Sequence, residues 1–383
     1  MLVTEDNMVF FLTQAVIILA TISICGVFLT IIPVQDADSQ QQQLQQNPID
    51  KILKRVENSV VGIITESNDG PNLEFDGTGF VYNAGKDIPY VVTNSHVVEG
   101  FKEVDLSFID GSVYRAEVEG IDRQGDIAVL QFIGNVTNQQ EQPPSPLLIG
   151  NSSELQVGEQ VIAIGNPFLS DQSFANLLTT GVISKLGVEY LQDDEFGTGS
   201  ILNAIVTDAA IAEGNSGGPL LNLKGEVIGM NTASDDDTRC CTYAIPSNTI
   251  KHIVPILIET GEYIHPWIGI TPVTLNADPQ ARQSIPSNIQ GVIVSSIDRG
   301  GPADKARLKG SIINQFGERE GGDIITAIDR QPITTADEFN AYIDEHKSLA
   351  EKVELSIYRN GQPLNRPVPV TLEQNPDFSS NDE

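Results

Sequence analysis

Residues 213–220 read EGNSGGPL, and the reading of the serine at position 216 decides how the rest of the chain is understood. Gly214, Gly217 and Gly218 remove side chains that would crowd the backbone, so nearby amide N–H groups can converge on one carbonyl oxygen. Ser216 is therefore a candidate nucleophile. Gly214, Asn215 and Ser216 form the candidate oxyanion hole, with the N–H groups of Gly214 and Ser216 as donors. A glycine-flanked serine is also an ordinary turn. The assignment thus depends on a base and an orienting carboxylate elsewhere in the chain.

Working outward, the chain holds four histidines. His252 lies in a helical run, His265 beside a proline in a connecting segment, and His346 in a second helical run. Only His96, in YVVTNSHVV, ends an apolar strand at a polar turn, where the rim of a barrel exposes a side chain. Asp126 opens the strand GDIAVLQF thirty positions later, so it and His96 can meet from adjacent elements. Asp208, eight positions before Ser216, is the alternative carboxylate and is better placed to shape the approach to the nucleophile. Ala210 and Ile211, in the strand entering the nucleophile turn, are the candidate substrate pocket and bring no acidic side chain to it.

At 383 residues the chain predicts two folded units and a non-globular part. Fifty-two acidic and 22 basic residues give a formal charge of -30, which repels phosphate backbones and anionic lipid surfaces and argues against nucleic acid as a partner. Three cysteines cannot build a disulfide framework. Cys25 sits in an apolar run, while Cys240 and Cys241 are either free thiols or a strained vicinal bridge. No spaced cysteine and histidine pairs suggest a metal, and no Walker A run suggests ATP.

Residues 10–32 carry no charge over 23 positions, enough for a helix of about 34 Å across a hydrocarbon core of about 30 Å. Glu5 and Asp6 precede this segment in place of a basic start, and no small-x-small site follows it. A retained anchor fits better than a cleaved signal. Flanking charge does not set its orientation. The expected organisation is an anchor over 1–34, a Gln-rich tether over 35–49, a first unit over 50–261, a second over 262–373 and a tail over 374–383.

In the first unit short β-branched runs alternate with turn clusters, as in SVVGIIT, DIAVLQFI, QVIAIG and GEVIGMNTA, which predicts a mainly β barrel or sandwich. NTIKHIVPILIET predicts a closing helix with Gly261 as its C-cap. The second unit is small and α+β. It has helices in GPADKARLKG and TADEFNAYIDEHKS, and a hairpin at Asn360-Gly361.

The segments GTGFV, VVTNSHVV, GDIAVL, VIAIGNPF, TDAAIAEGNSGGPL and YAIPSN, in that order, resemble the HtrA (DegP/DegQ-like) family of trypsin-fold serine proteases. The resemblance covers nearly everything outside the anchor. It implies a chymotrypsin-like double β-barrel in which Ser216 attacks a peptide carbonyl, His96 moves its proton and Asp126 orients the imidazole, with no cofactor and no metal. Chymotrypsin has an aspartate just before its nucleophile, whereas this chain has Asn215, so activation by loop ordering is expected in place of zymogen cleavage.

The second unit resembles the PDZ domain that follows the protease in that family. Trp267, Ile268, Gly269 and Ile270 correspond to its carboxylate-binding loop, which implies C-terminal peptides as partners. The insertion SIINQFGEREG departs from the shorter family pattern. The resemblance further implies unfolded polypeptide substrates, homotrimers or multiples of trimers, and a single-pass cell-membrane protein with its folded part outside the cytoplasm. A peptide-binding chaperone or scaffold, and a regulatory protease for one membrane signalling partner, are the alternative functions.

Overall fold

The computed structural model describes residues 48–66, 73–85, 89–135, 144–166, 176–194, 197–211, 214–234, 241–283, 285–315 and 319–376. By compactness the chain divides into Met1–Lys51 and Ile52–Glu383. The expected anchor, the tether up to residue 47, Cys25, Cys240 and the tail from residue 377 lie outside the described residues. No helix among the described residues is long and apolar enough to cross a membrane. Helix α1 (Pro48–Val56) includes the last two positions assigned to the tether. Its buried residues Ile52 and Val56 recur at a spacing of four, which gives the helix one apolar face.

The short apolar runs close into two six-stranded barrels. The first contains β1 (Val60–Glu66), β2 (Leu73–Tyr82), β3 (Tyr90–Thr93), β4 (Glu103–Phe108), β5 (Val113–Asp122) and β6 (Ile127–Asn135), in the order β1-β2-β3-β6-β5-β4. β1 reads as a continuous apolar run because Val60, Val61, Ile63 and Ile64 are all buried, so both its faces are covered. Ile63, Leu106, Phe108 and Leu130 fill this barrel. Each such side chain contributes roughly 1.5–3 kcal/mol by leaving water.

The second barrel contains β7 (Gln160–Gly165), β8 (Leu177–Asp194), β9 (Gly197–Thr207), β10 (Pro219–Leu221), β11 (Val227–Ser234) and β12 (Thr242–Pro246), in the order β10-β11-β12-β9-β8-β7. Between β3 and β4 lies a single helical turn, α2 (Ser95–Val98). After β12 comes α3 (Ser247–Thr260), which ends on Gly261 in the left-handed conformation with its N–H bonded to Leu257 O at 2.8 Å.

The C-terminal part is built on a sheet ordered β14 (Ile270–Thr274), β15 (Val292–Ile297), β18 (Ile324–Ile328), β20 (Lys352–Arg359), β21 (Gln362–Pro363). β19 (Gln331–Pro332) and β22 (Val368–Thr371) join the same sheet, and β13 (Pro266–Trp267) pairs with β23 (Glu373–Gln374). The helices are α4 (Pro279–Gln283), α5 (Pro302–Lys305) and α6 (Ala336–His346). α5 is shorter than the expected GPADKARLKG helix because Arg307 takes φ +62, which a helix cannot continue through.

α6 starts with a capping box between Thr335 and Glu338, and it contacts both β14 and the elements β8 and β9 of the second barrel together with α3. Asn360 and Gly361, both at positive φ, make the expected tight turn. The insertion forms a second hairpin from β16 (Ser311–Ile313) and β17 (Arg319–Gly321), held by Arg319 Nε to Asp278 Oδ2 at 2.9 Å.

Candidate active site

β3 stops at Thr93, Asn94 stays extended, and His96 rides on α2. The histidine is thus one helical turn beyond the strand end where the apolar pattern put it. Asp126 precedes β6 and takes φ +54, a strained conformation that aspartate tolerates better than most residues. Two bonds hold that backbone: Asn94 Nδ2 donates to Asp126 O at 3.0 Å, and Gly125 N donates to Asp122 Oδ1 at 3.0 Å.

The Asp126 carboxylate is 1% exposed and surrounded by donors. Oδ1 accepts from Ser95 Oγ at 3.0 Å and from His96 N at 3.2 Å, while Oδ2 accepts from Thr232 Oγ1 at 2.5 Å. His96 Nδ1 lies 3.0 and 3.1 Å from the two oxygens. A carboxylate only accepts, so Nδ1 carries the proton and the neutral ring keeps its lone pair on Nε2. That is the tautomer a general base needs.

Ser216 is carried by the second barrel and fastened to the first. Its carbonyl accepts from Thr78 N at 2.8 Å, and Thr78 Oγ1 donates to Gly214 O at 2.6 Å. Gly217 N donates to Asn231 O at 2.8 Å. Gly217 has φ +84, and a Cβ there would lie 2.1 Å from Thr78 O, so only glycine fits. Asn215 is buried against Gly165. Among the described residues the N–H groups of Gly214 and Ser216 have no acceptor, which leaves both donors available to an oxyanion. The Ser216 hydroxyl donates to Thr232 O at 2.9 Å.

Asp208 is exposed and its Oδ1 accepts from Val182 N at 2.7 Å, so it serves the second barrel's backbone, and Asp126 is the carboxylate at His96. Ala210 is exposed with its carbonyl bonded by Thr179 Oγ1 at 2.7 Å, and Ile211 packs half-buried against the second core. The acidic loop after β11 lies outside the described residues from 235 to 240.

Trp267 ends β13, Ile268 is buried in the C-terminal core, and Gly269 at φ +76 turns the chain into the edge strand β14, which Ile270 opens. Ile268 O and Gly269 O are taken by Ala303 N and Asp298 N, at 3.0 and 3.1 Å. Among the described residues the free side of β14 faces no other strand of its sheet, and Thr274 Oγ1 on that strand accepts from Ala336 N at the start of α6 at 2.9 Å.

Three polar side chains at the site escaped the reading of the sequence: Thr78, Ser95 and Thr232. Ser95 adjoins His96 and could have been proposed from adjacency. Thr232 lies 16 residues past Ser216 with no local pattern to mark it.

Comparison with known proteins places these observations in a family. The trypsin-like peptidase domain matches residues 77–230 and the PDZ domain matches residues 266–370. The chain is 33% identical over 310 residues to the serine protease Do-like HtrA of Bacillus subtilis (strain 168), a match covering 78% of this chain and 64% of that protein. It is 31% identical over 366 residues to the serine protease Do-like HtrA of Lactococcus lactis subsp. cremoris (strain MG1363), covering 86% of this chain and 85% of that one. Among solved structures, the HtrA-type protease AlgW with a tripeptide gives a TM-score of 0.63 at 27% identity, covering 87% of this chain and 99% of that chain.

Proposed function

The chain belongs to the HtrA, or Do-like, family of trypsin-fold serine endopeptidases, and we propose that it cuts unfolded or damaged polypeptides, without ATP, through His96, Asp126 and Ser216. The observation that carries this reading is the contact of His96 Nδ1 with both oxygens of Asp126, at 3.0 and 3.1 Å, beside the nucleophile turn of the facing barrel.

In the proposed reaction Ser216 Oγ bonds to the peptide carbonyl carbon while its proton passes to His96 Nε2. The imidazolium so formed faces the Asp126 carboxylate, and the N–H groups of Gly214 and Ser216 take the oxyanion. Collapse of the tetrahedral intermediate breaks the C–N bond, and His96 returns its proton to the leaving amine. Water then repeats the sequence on the acyl-enzyme. In the first step the Ser216 hydroxyl, which donates to Thr232 O at 2.9 Å, gives its proton to His96 Nε2. Asn215 before the nucleophile, where a zymogen-activated protease has an aspartate, supports control by ordering of the surrounding loops.

Ala210 and Ile211 select small or medium aliphatic P1 side chains in this reading. The protease unit spans 50–261 and the PDZ unit 262–373. The latter takes polypeptide C-termini at Trp267, Ile268, Gly269 and Ile270, the peptide adding to the open edge of β14. The apolar segment over 10–32 anchors the protein in the cell membrane with its folded part outside the cytoplasm, and the active form is a trimer or a multiple of trimers. Labelling with a fluorophosphonate beside digestion of casein, in the native protein and in Ser216→Ala, tests the core of the proposal. Both should occur in the native protein and vanish in the variant; persistence in Ser216→Ala rejects it.

A further inference from the structure

We infer that His265 is a positioning residue for the catalytic aspartate, joining the turn that carries Asp126 to helix α6 of the PDZ unit. The inference rests on the protease reading above for its catalytic consequence, and on geometry alone for the connection.

His265 lies in the connector between the two units, with its side chain 10% exposed. Its Nε2 is 2.9 Å from both carboxylate oxygens of Asp122, at the end of β5, and its Nδ1 is 3.0 Å from Asp344 Oδ1, on α6. Both partners are buried and both can only accept, so both ring nitrogens donate and the ring is an imidazolium between two carboxylates. Burial alone would lower the imidazole pKa, but the charges and hydrogen bonds of Asp122 and Asp344 outweigh it and raise it to about 10. The Tyr263 ring closes one side, edge-on at 4.7 Å.

Asp122 does more than receive this histidine. Its Oδ1 also accepts from Gly125 N at 3.0 Å, and Gly125 leads directly into the strained backbone of Asp126. The joint has no slack. A Cβ on Gly125 would lie 2.3 Å from Asp122 Oδ2 and 3.4 Å from His265 Cε1. A continuous set of bonds therefore runs from Asp344 through His265, Asp122 and Gly125 to Asp126 and His96. The far end is on α6, which also contacts the open-edged strand β14 and, through Glu345 Oε1, accepts from Asn203 Nδ2 at 2.6 Å. Asp344 thus holds the catalytic carboxylate in place from another domain, without touching substrate.

The test measures two quantities on the full chain: hydrogen exchange of the turn 123–127 and the rate of fluorophosphonate labelling at Ser216. The variants are Asp344→Ala, Asp344→Asn, His265→Gln and the double variant Asp344→Ala/His265→Gln. Asp344→Ala should speed exchange at the turn and slow labelling about tenfold, since small misplacements far from the chemistry have effects of that order or more. Asp344→Asn, which keeps an oxygen acceptor, should recover most of the labelling rate. The double variant should label no more slowly than the slower single one.

Unchanged exchange at 123–127 in Asp344→Ala overturns the connection. Faster exchange with native labelling leaves only a structural clamp and overturns the positioning role, as does a double variant whose effects multiply. If His265→Gln fails to fold, Asp344→Ala and Asp344→Asn carry the decision. Absence of label on the native protein rejects the protease reading instead, and the exchange measurement still decides the connection.

Discussion

Thr232 Oγ1 lies 2.5 Å from Asp126 Oδ2, so a side chain of the second barrel fixes the carboxylate supplied by the first. The same residue's carbonyl accepts the Ser216 hydroxyl. Thr232 therefore holds both the carboxylate that meets His96 and the hydroxyl of Ser216.

Removing that donor leaves a buried carboxylate one hydrogen bond short. Hydrogen bonds to charged groups are worth about 1.5–3 kcal/mol, so Thr232→Val should lower kcat/KM on a peptide substrate about tenfold or more. Thr232→Ser keeps the hydroxyl and should stay within about threefold of native by the same reckoning.

The two candidate carboxylates separate cleanly by mutation. Asp126→Asn favours the wrong histidine tautomer and should reduce kcat by about 10⁴. Asp208→Asn still accepts from Val182 N, so activity should hold within about twofold and stability within about 0.5 kcal/mol. Casein digestion and urea unfolding measured side by side report both, and loss of activity in Asp208→Asn would reverse the assignment.

Gly217→Ala places a methyl group 2.1 Å from Thr78 O at a positive φ. The nucleophile turn must then shift, with strain of about 1–3 kcal/mol beyond the clash itself. Fluorophosphonate labelling should disappear and the thermal midpoint should fall. A labelled, native-like Gly217→Ala protein would contradict the packing described for this turn.

The raised pKa of His265 makes stability depend on pH in a defined direction. Below the unfolded value of 6.5 the ring is charged in both states, and its pairing with Asp122 and Asp344 stabilises the fold in full. Between 6.5 and about 10 the unfolded chain releases its proton while the folded chain keeps it, so the contribution shrinks as pH rises and is lost above about 10. Urea unfolding should show native stability falling relative to His265→Gln across that window, by up to about 1.4 kcal/mol per pH unit. A constant difference from pH 6.5 to 10 would show that the ring is not charged in the folded state.

Trp267 is the single tryptophan of the chain and packs beside Gly269, with its ring 3.3 Å from where a Cβ on that glycine would stand. Peptides ending in an apolar residue with a free carboxylate should change its fluorescence on binding beside β14. The amidated peptide should bind about tenfold more weakly or worse, since it lacks the charged group the loop amides would receive. Equal affinity for both peptides would place recognition elsewhere.

Much of this protein was legible along the chain, because the signals concerned are local. Apolar runs of barrel length, glycine at the cap of α3, Asn-Gly at a tight turn and the short motifs around His96, Asp126 and Ser216 each depend on residues close in sequence. The limits of such signals show at His96, where an apolar run suggested a strand end and Asn94 instead starts a helical turn. They show again at Arg307, whose left-handed conformation cuts α5 short.

By itself, then, the sequence determined a mainly β first unit and a small α+β second one, since hydrophobic period and turn chemistry act over a few residues. The double barrel, the PDZ likeness and the triad roles of His96, Asp126 and Ser216 followed from the resemblance of its motifs to a known family. Only the tertiary structure decided which carboxylate meets His96, that Thr232 and Ser95 hold it, and that His265, read from the sequence as a connector residue, bridges Asp122 and Asp344. Asp122 and His265 are 143 positions apart, and Asp126 and Thr232 are 106 apart. Hydrogen bonds across such separations follow no sequence period. They exist only once burial has brought the strands together and left each polar group to find a partner.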